Sequence, residues 1–363
     1  MDRHPGCRRP GVEHDLRTGG GPARPLAHKV NHRVPINASI HKEVSMSFRK
    51  VLTRAAATAL LFVLAQGAAL AQTTLRVTYI PILDATPLFV GVEKGFFKEL
   101  GLNVVPTPIA GGAAGIPGLM SGAYDVLYSN IVSTILAKQQ GFKLVIVGAG
   151  TKQYPGPDTD GIIVRKGEGI KTGKDLEDKT VAVNTRNGII WLFARAWIVK
   201  TGGDPSKIKY REIPFPQMND ALRGKQVDAA FQVNPFYDAA VGKGEFEAIG
   251  EPYSAVQPGV EIGQYVATEE FYNKNRDAVT KFARGLAKSV AWYNSNPTNP
   301  ETLRIVSTVT KLPPEIIAKM ELGKLPEKVD PAMLAATAAL MKESGLLTTD
   351  VDVRALVVPD AIQ

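Results

Sequence analysis

From Leu75 onward the chain alternates short runs rich in β-branched residues with longer amphipathic stretches. This is the pattern of an α/β fold in which parallel strands are joined by helices. The runs Leu75–Ile80, Leu102–Thr107, Asp125–Tyr128, Lys143–Gly148, Gly161–Arg165, Thr180–Asn184, Ile208–Ile213, Asp228–Gln232 and Gly263–Thr268 read as strands. Helical stretches lie between them at Pro87–Glu99, Ala113–Ser121, Val132–Gln140, Gly188–Lys200, Gln217–Arg223 and Pro235–Gly242. From Glu269 the pattern is helical only. Val279, Phe282, Leu286, Val290 and Tyr293 share one face of a long helix and predict a buried stripe. Prolines at 297, 300, 313, 314, 326 and 331 divide the rest into shorter helices.

Two turn-rich segments interrupt the alternation, Tyr154–Gly161 and Glu251–Gly259. About 100 residues with their own strand–helix pattern lie between them. The expected organisation is one domain inserted into another: 72–160 and 262–363 form a first lobe carrying the C-terminal helices, and 161–261 a second. Two crossing strands would act as the hinge.

Composition changes the picture mainly at the N-terminus. The 363 residues carry a formal charge of +8, with 44% hydrophobic and 21% charged residues. Residues 1–71 hold seven of those surplus positive charges and the remainder only one, so the bulk of the chain has no electrostatic reason to seek nucleic acid. Met46 is followed by Arg49, Lys50 and Arg54, then by the apolar Ala55–Leu64 and a small-residue ending, Ala69-Leu70-Ala71. These are the three parts of a secretory signal peptide over 46–71, and the 17-residue stretch 55–71 is short for a membrane span. Residues 1–45, rich in Arg, Pro, Gly and His, read as a disordered consequence of a mis-set start. The expected mature protein runs from Gln72 to Gln363 in the periplasm, as a monomer.

Residue usage excludes much chemistry. All five histidines (His4, His14, His28, His32, His41) and the single Cys7 precede Met46. The body of the chain therefore has no histidine-based triad, cysteine nucleophile, disulfide or His/Cys metal site. No cofactor is expected. Gly167-Glu168-Gly169 lacks the third glycine of a dinucleotide loop, and Gly173-Lys174 is followed by Asp175 where a phosphate loop needs Ser or Thr. Asp158-Thr159-Asp160-Gly161 lacks the closing acid of a calcium loop and reads as a turn. Ser206-Lys207-Ile208-Lys209 has the Ser-x-x-Lys spacing but lies in a loop entering a strand. Glu269-Glu270 suits the start of a helix.

What remains is a set of polar turns, each just after a predicted strand: Pro81–Pro87, Gly111–Gly115, Ser129-Asn130, Asn184–Gly188 and Asn234-Pro235. Ligands of open α/β sheets bind at the carboxyl ends of strands, and helix N-termini there present free N–H groups. The candidate binding residues are Asp84, Thr86, Ser129, Asn130, Asn184, Thr185, Asn187 and Asn234, with Tyr154, Trp191 and Tyr265 as aromatic walls. Thr86 and Pro87 also suit the first positions of a helix. Arg186 is the one cation within these loops.

Tyr79-Ile80-Pro81-Ile82-Leu83-Asp84-Ala85-Thr86-Pro87-Leu88, continued by Val92-Glu93-Lys94-Gly95-Phe96-Phe97-Lys98-Glu99-Leu100-Gly101-Leu102, resembles the opening of ABC-transporter substrate-binding proteins of the nitrate/sulfonate/taurine/thiamine-precursor (NMT1-like) family. The likeness continues through Gly118–Val126, Ala221–Ala230 and Asn234-Pro235-Phe236, and covers 75–295. It implies a type II periplasmic binding fold, two parallel-sheet lobes on a two-strand hinge. Such a protein closes on a small solute and delivers it to an ABC permease in the inner membrane. The family's cleft loops correspond here to Asp84, Thr86, Ser129, Asn130, Asn184, Thr185 and Asn234. The missing histidine and cysteine depart from the pyrimidine-synthase branch, and the missing histidine also from nitrate binders. The expected solute is a sulfonate, a thiamine-precursor pyrimidine or a related aromatic. An exported enzyme using Asp84 or Asp228 as a base, or a sensor protein presenting a ligand, are the alternatives.

Overall fold

The computed structural model describes residues 72–156, 159–320 and 322–362. The expected leader, the segment before it, and Pro157 and Asp158 of the first crossing lie outside the described residues. In chain order the described strands are β1 (Thr73–Tyr79), β2 (Leu102–Pro108), β3 (Leu127–Ser129), β4 (Leu144–Lys152), β5 (Asp160–Arg165), β6 (Thr180–Val183), β7 (Lys209–Glu212), β8 (Ala229–Val233), β9 (Phe246–Gly250) and β10 (Glu261–Thr268).

The first lobe is built on β1 and β2, which pair in parallel, and on β10, which lies between β3 and β4 and is antiparallel to both. A parallel bridge from Val77 to Val126 joins the two groups. The second lobe is one sheet in the order β7-β6-β8-β5-β9. In it β6 pairs in parallel with β7 and β8, whereas β5 is antiparallel to β8 and β9. The sheets are thus mixed rather than wholly parallel, for a topological reason. The chain leaves the first lobe on β4, enters the second on β5, returns along β9 and re-enters the first on β10. Outgoing and returning strands run side by side, so they pair antiparallel.

Most expected elements stand within one or two residues of the sequence reading. One strand, β9, was not anticipated, because Phe246-Glu247-Ala248-Ile249-Gly250 is short and only its first residue is fully buried. The expected helix Pro87–Glu99 is two helices, Thr86–Glu93 and Phe96–Glu99. They part at Gly95, whose φ of +74° a continuous helix does not permit. The helix begins at Thr86, so this residue does not cap it. Its hydroxyl donates 2.6 Å to the carbonyl of Leu83 and it is fully buried.

The C-terminal helices close the first lobe. Along Arg276–Ser295 the stripe Val279, Phe282, Leu286, Val290 and Tyr293 is buried. Phe282 stacks on Phe97 with ring centres 5.6 Å apart. Val357 forms a parallel bridge with Ile146 of β4. Among the described residues no helix is long and apolar enough to cross a membrane.

The Thr86–Glu93 and Arg276–Ser295 helices approach closely at Gly91. A Cβ there would lie 2.4 Å from the Phe97 ring and 2.4 Å from Ser289 Oγ. Gly91→Val is expected to cost about 1–3 kcal/mol by overpacking. It would appear as a lower urea midpoint at unchanged slope; an unchanged midpoint would show that the helices can part freely.

Candidate ligand-binding site

Two neighbouring strands join the lobes and bring the site together. Lys152 and Glu261 are register partners at the ends of β4 and β10. Beyond them the Gln153 N–H donates to the Val260 carbonyl at 2.9 Å, and Gln153 Oε1 accepts from the Gly259 N–H at 2.8 Å. Gln153 Nε2 also donates to Ser254 Oγ at 3.1 Å. The crossings are therefore tied to one another by one glutamine. Lys152 Nζ pairs with Asp330 Oδ2 at 2.9 Å, and the Asp330 N–H donates to Glu261 Oε1 at 3.1 Å. Asp330 also caps the Pro331–Glu343 helix. Glu261 is fully buried, and burial pushes its carboxyl up to about 7.

Asp84 lies in a short 3₁₀ turn, Leu83–Ala85, just after β1. Its carboxyl accepts 2.9 Å from the Tyr128 hydroxyl, which also lies 2.7 Å from Thr151 Oγ1. Burial raises the Asp84 carboxyl above its ordinary range, and hydrogen bonds from Thr151, Tyr128 and its own backbone N–H oppose the shift without cancelling it.

Asp84 and Thr151 from the first lobe, Asp160, Val233 and Asn234 from the second, and Tyr253 and Ile262 from the returning crossing line one cavity of about 70 Å³. The segment Gly323–Leu325 completes its wall. A wider pocket of about 500 Å³ adjoins it, lined by Tyr154, Pro155, Asn294 and Leu322 among others. The two share Lys152, Thr159, Gly323 and Lys324. The inner cavity has room for little more than two water molecules, whereas the outer one lies in the ordinary size range for small-molecule sites. A groove of about 860 Å³ around Arg76, Tyr124 and Phe271 is larger, but none of the polar turns reaches it.

The remaining turns meet one another directly. Asn184 Nδ2 donates 3.3 Å to the carbonyl of Ala110. Gly111 is so close to Asn184 and Thr185 that a Cβ would lie 2.6 Å from the first and 2.9 Å from the second. Ser133 Oγ donates to the Asn187 carbonyl at 3.2 Å, and the Leu83 N–H to the Asn234 carbonyl at 3.4 Å. Asn130 caps the Ile131–Gln139 helix by accepting from the Ser133 N–H. Ser129 is buried against Gly112, its hydroxyl without a partner among the described residues.

Asp84 and Asn234 thus share one cavity, and Tyr154 lines the pocket beside it. Asn184, Thr185 and Asn187 lie instead at a contact between the lobes, whereas Ser129 and Asn130 pack and bond within the first lobe. Two of the expected aromatic walls, Tyr265 and Trp191, lie outside these two pockets. Tyr265 is a core residue rather than a cleft wall: its ring is 99% buried, 5.1 Å from Tyr128 and 5.4 Å from Phe282. Trp191 packs edge-on against Tyr210 with the Arg195 guanidinium 4.7 Å over its ring, all within the second lobe. The Arg186 guanidinium donates to the Tyr210 carbonyl and its backbone N–H to the Glu212 carboxylate, both within the second lobe. The Asn234 amide is likewise committed, bonding Asp238 at 3.0 Å through both its oxygen and its nitrogen. Sequence reasoning missed Thr151, Asp160 and Tyr253. Their signal was present, since each stands in or beside a segment recognised as a crossing.

A family model described as NMT1/THI5 like matches residues 83–299, more than half of the chain. The chain belongs to that family. A Brachyspira hyodysenteriae protein named as an ABC transporter periplasmic binding protein is 24% identical over 267 residues, 68% of this chain and 75% of its own length. The riboflavin-binding protein RibY of Chloroflexus aurantiacus is 24% identical over 246 residues, 63% of this chain and 64% of that one. The solved alkanesulfonate-binding protein SsuA of Xanthomonas axonopodis, bound to MOPS, superposes with a TM-score of 0.66 at 17% identity, covering 80% of this chain and 99% of that chain. The periplasmic nitrate-binding protein NrtA of Synechocystis gives 0.65 at 17% identity, over 78% and 84%. These likenesses establish the two-lobed type II periplasmic binding fold.

The hinge carboxyl has a measurable consequence. Folded Glu261 titrates near 7 against an ordinary 4.5, so the native state holds a proton that the unfolded chain has released between these values. Its contribution to stability is complete below pH 4.5 and is lost as the pH rises through 7, on the order of 3 kcal/mol in all. Glu261→Gln keeps an acceptor for Asp330 and removes the charge. The variant is expected to melt above the wild type at pH 8 and beside it at pH 4.5; a difference independent of pH would contradict the assignment.

Proposed function

We propose that the chain is a periplasmic solute-binding protein that hands a small organic solute to an ABC permease, exported by removal of residues 46–71 and working as a monomer. The observation that carries this reading is the cavity at Asp84, lined from both lobes and from both crossings. A molecule held there touches both halves at once, so it stabilises the closed arrangement over any open one. That differential affinity is what a hinge-closing protein needs. Family membership and the periplasmic binding proteins among the relatives support the same reading.

The reading is one of binding without catalysis. Asp228, the second carboxylate considered as a base, accepts from the Thr180 N–H at 2.8 Å and faces Arg165 at 3.5 Å, so it joins β6 to β8. Sulfonates, pyrimidines and related aromatics are the solute classes that the family resemblance brings to the site.

The test is to purify the protein from the periplasm, release bound small molecules by denaturation and identify them by mass spectrometry. Rebinding to the emptied protein is then followed by calorimetry and small-angle scattering. A retained solute that reduces the radius of gyration on rebinding is expected. No retained molecule, or binding without contraction, would overturn the proposal. Asn184→Ala removes the side-chain bond to Ala110 across the lobes and is expected to weaken that solute about three- to tenfold, read as Kd.

A further inference from the structure

The inner cavity carries a chemical preference. Asp84 presents a carboxyl that is only partly satisfied by one tyrosine and one threonine hydroxyl. Asp160, buried to 93%, is a second acid on the same wall. Tyr253 lines the cavity as well, is fully buried, and its hydroxyl has no hydrogen-bond partner among the described residues. It lies within the electrostatic reach of both aspartates, which, after burial, oppose loss of its proton. A buried phenol without a partner forfeits hydrogen bonds it would make in water, so such groups are held where something else supplies them.

Two lysines border this wall, and one of them is paired. Lys152 is committed to Asp330 at 2.9 Å. Lys324 is exposed and borders the wider outer pocket as well as the inner cavity. Arg186 is bonded within the second lobe. An anion pushed to the inner end would meet two carboxyls, which like-charge repulsion disfavours, and Lys324, the lining cation without an ion pair among the described residues, is exposed to solvent. A nitrogen carrying hydrogens meets the opposite. Asp84 accepts from it, and Tyr253 provides a further oxygen that can accept.

We infer that the inner end of the site selects a nitrogen donor, an amine, amidine or amino-substituted heterocycle, with Asp84 as acceptor and Tyr253 as its second contact, and rejects sulfonate and carboxylate head groups there. This rests on the solute-binding reading and narrows its substrate class. It sets the chain apart from the alkanesulfonate- and nitrate-binding proteins that share its fold. No metal is invoked, and no group of three or more potential protein ligands for one is present among the described residues.

The test uses four probes on the emptied protein: benzamidine and 4-aminopyrimidine against benzenesulfonate and benzoate. Thermal shift ranks them and calorimetry gives Kd. The nitrogen donors are expected to raise the melting temperature and the two anions to leave it unchanged. Asp84→Asn is expected to weaken benzamidine about ten- to a hundredfold, the loss of one charge-assisted hydrogen bond. Should that variant fold poorly by circular dichroism, Tyr253→Phe leaves both carboxyls in place and is expected to weaken benzamidine about three- to tenfold. Benzenesulfonate or benzoate binding as tightly as benzamidine, benzamidine binding unchanged by either substitution, or no response to any probe would each overturn the inference. The solute retained from the periplasm judges the broader reading separately. A retained sulfonate that contracts the protein leaves that reading standing and removes only this one.

Discussion

A carboxyl taken out of water must find donors or give up its charge, and this protein places three of them where its chain crosses between two sheets. Each is accommodated differently. Glu261, at the head of β10, receives the Asp330 N–H and is the register partner of Lys152. Asp160 opens the second lobe at the head of β5. Asp84, in the first lobe, accepts from the Tyr128 hydroxyl, which in turn meets Thr151 of the cavity wall. The crossing is thereby polar as well as narrow. The hydrogen bonds of Gln153 hold its two strands together.

The proposed closure draws on that arrangement. Contacts such as Asn184 to Ala110 and Ser133 to Asn187 are single hydrogen bonds between polar turns. Each contributes only about 0.5–1.5 kcal/mol net, too little to hold two lobes shut against solvent. On the proposed reading, a solute bridging Asp84 and Tyr253 adds contacts on both sides of the hinge that only the closed form offers. The lobes then close in proportion to that difference in affinity. The inner cavity is small and the outer pocket larger, which suits a molecule with one narrow polar end directed at the hinge.

Much of this was legible from residue order. Alternating strand and helix patterns gave the two lobes and the position of nearly every element, because burial of one face sets the period. The polar turns after β1, β3, β6 and β8 were also visible. Where their side chains point was not. Asn130 and Asn234 have the chemistry of ligand contacts and of helix caps alike, and only the turn geometry selects capping. Tyr265 follows a crossing, but packing against Tyr128 and Phe282 claims its ring. Tyr253 was passed over because a hinge segment reads as a connection. Its role depends on the returning chain being folded back beside Asp84, a contact between residues far apart in sequence.

The most direct measurement is a crystal structure of the protein carrying the solute it retains from its own cell. The account predicts density between the lobes, with a nitrogen of the solute within hydrogen-bond distance of Asp84 and the Tyr253 hydroxyl bonded to the same molecule. Density confined to the groove beside Arg76 and Tyr124, or an anionic head group seated against Asp84, would contradict it.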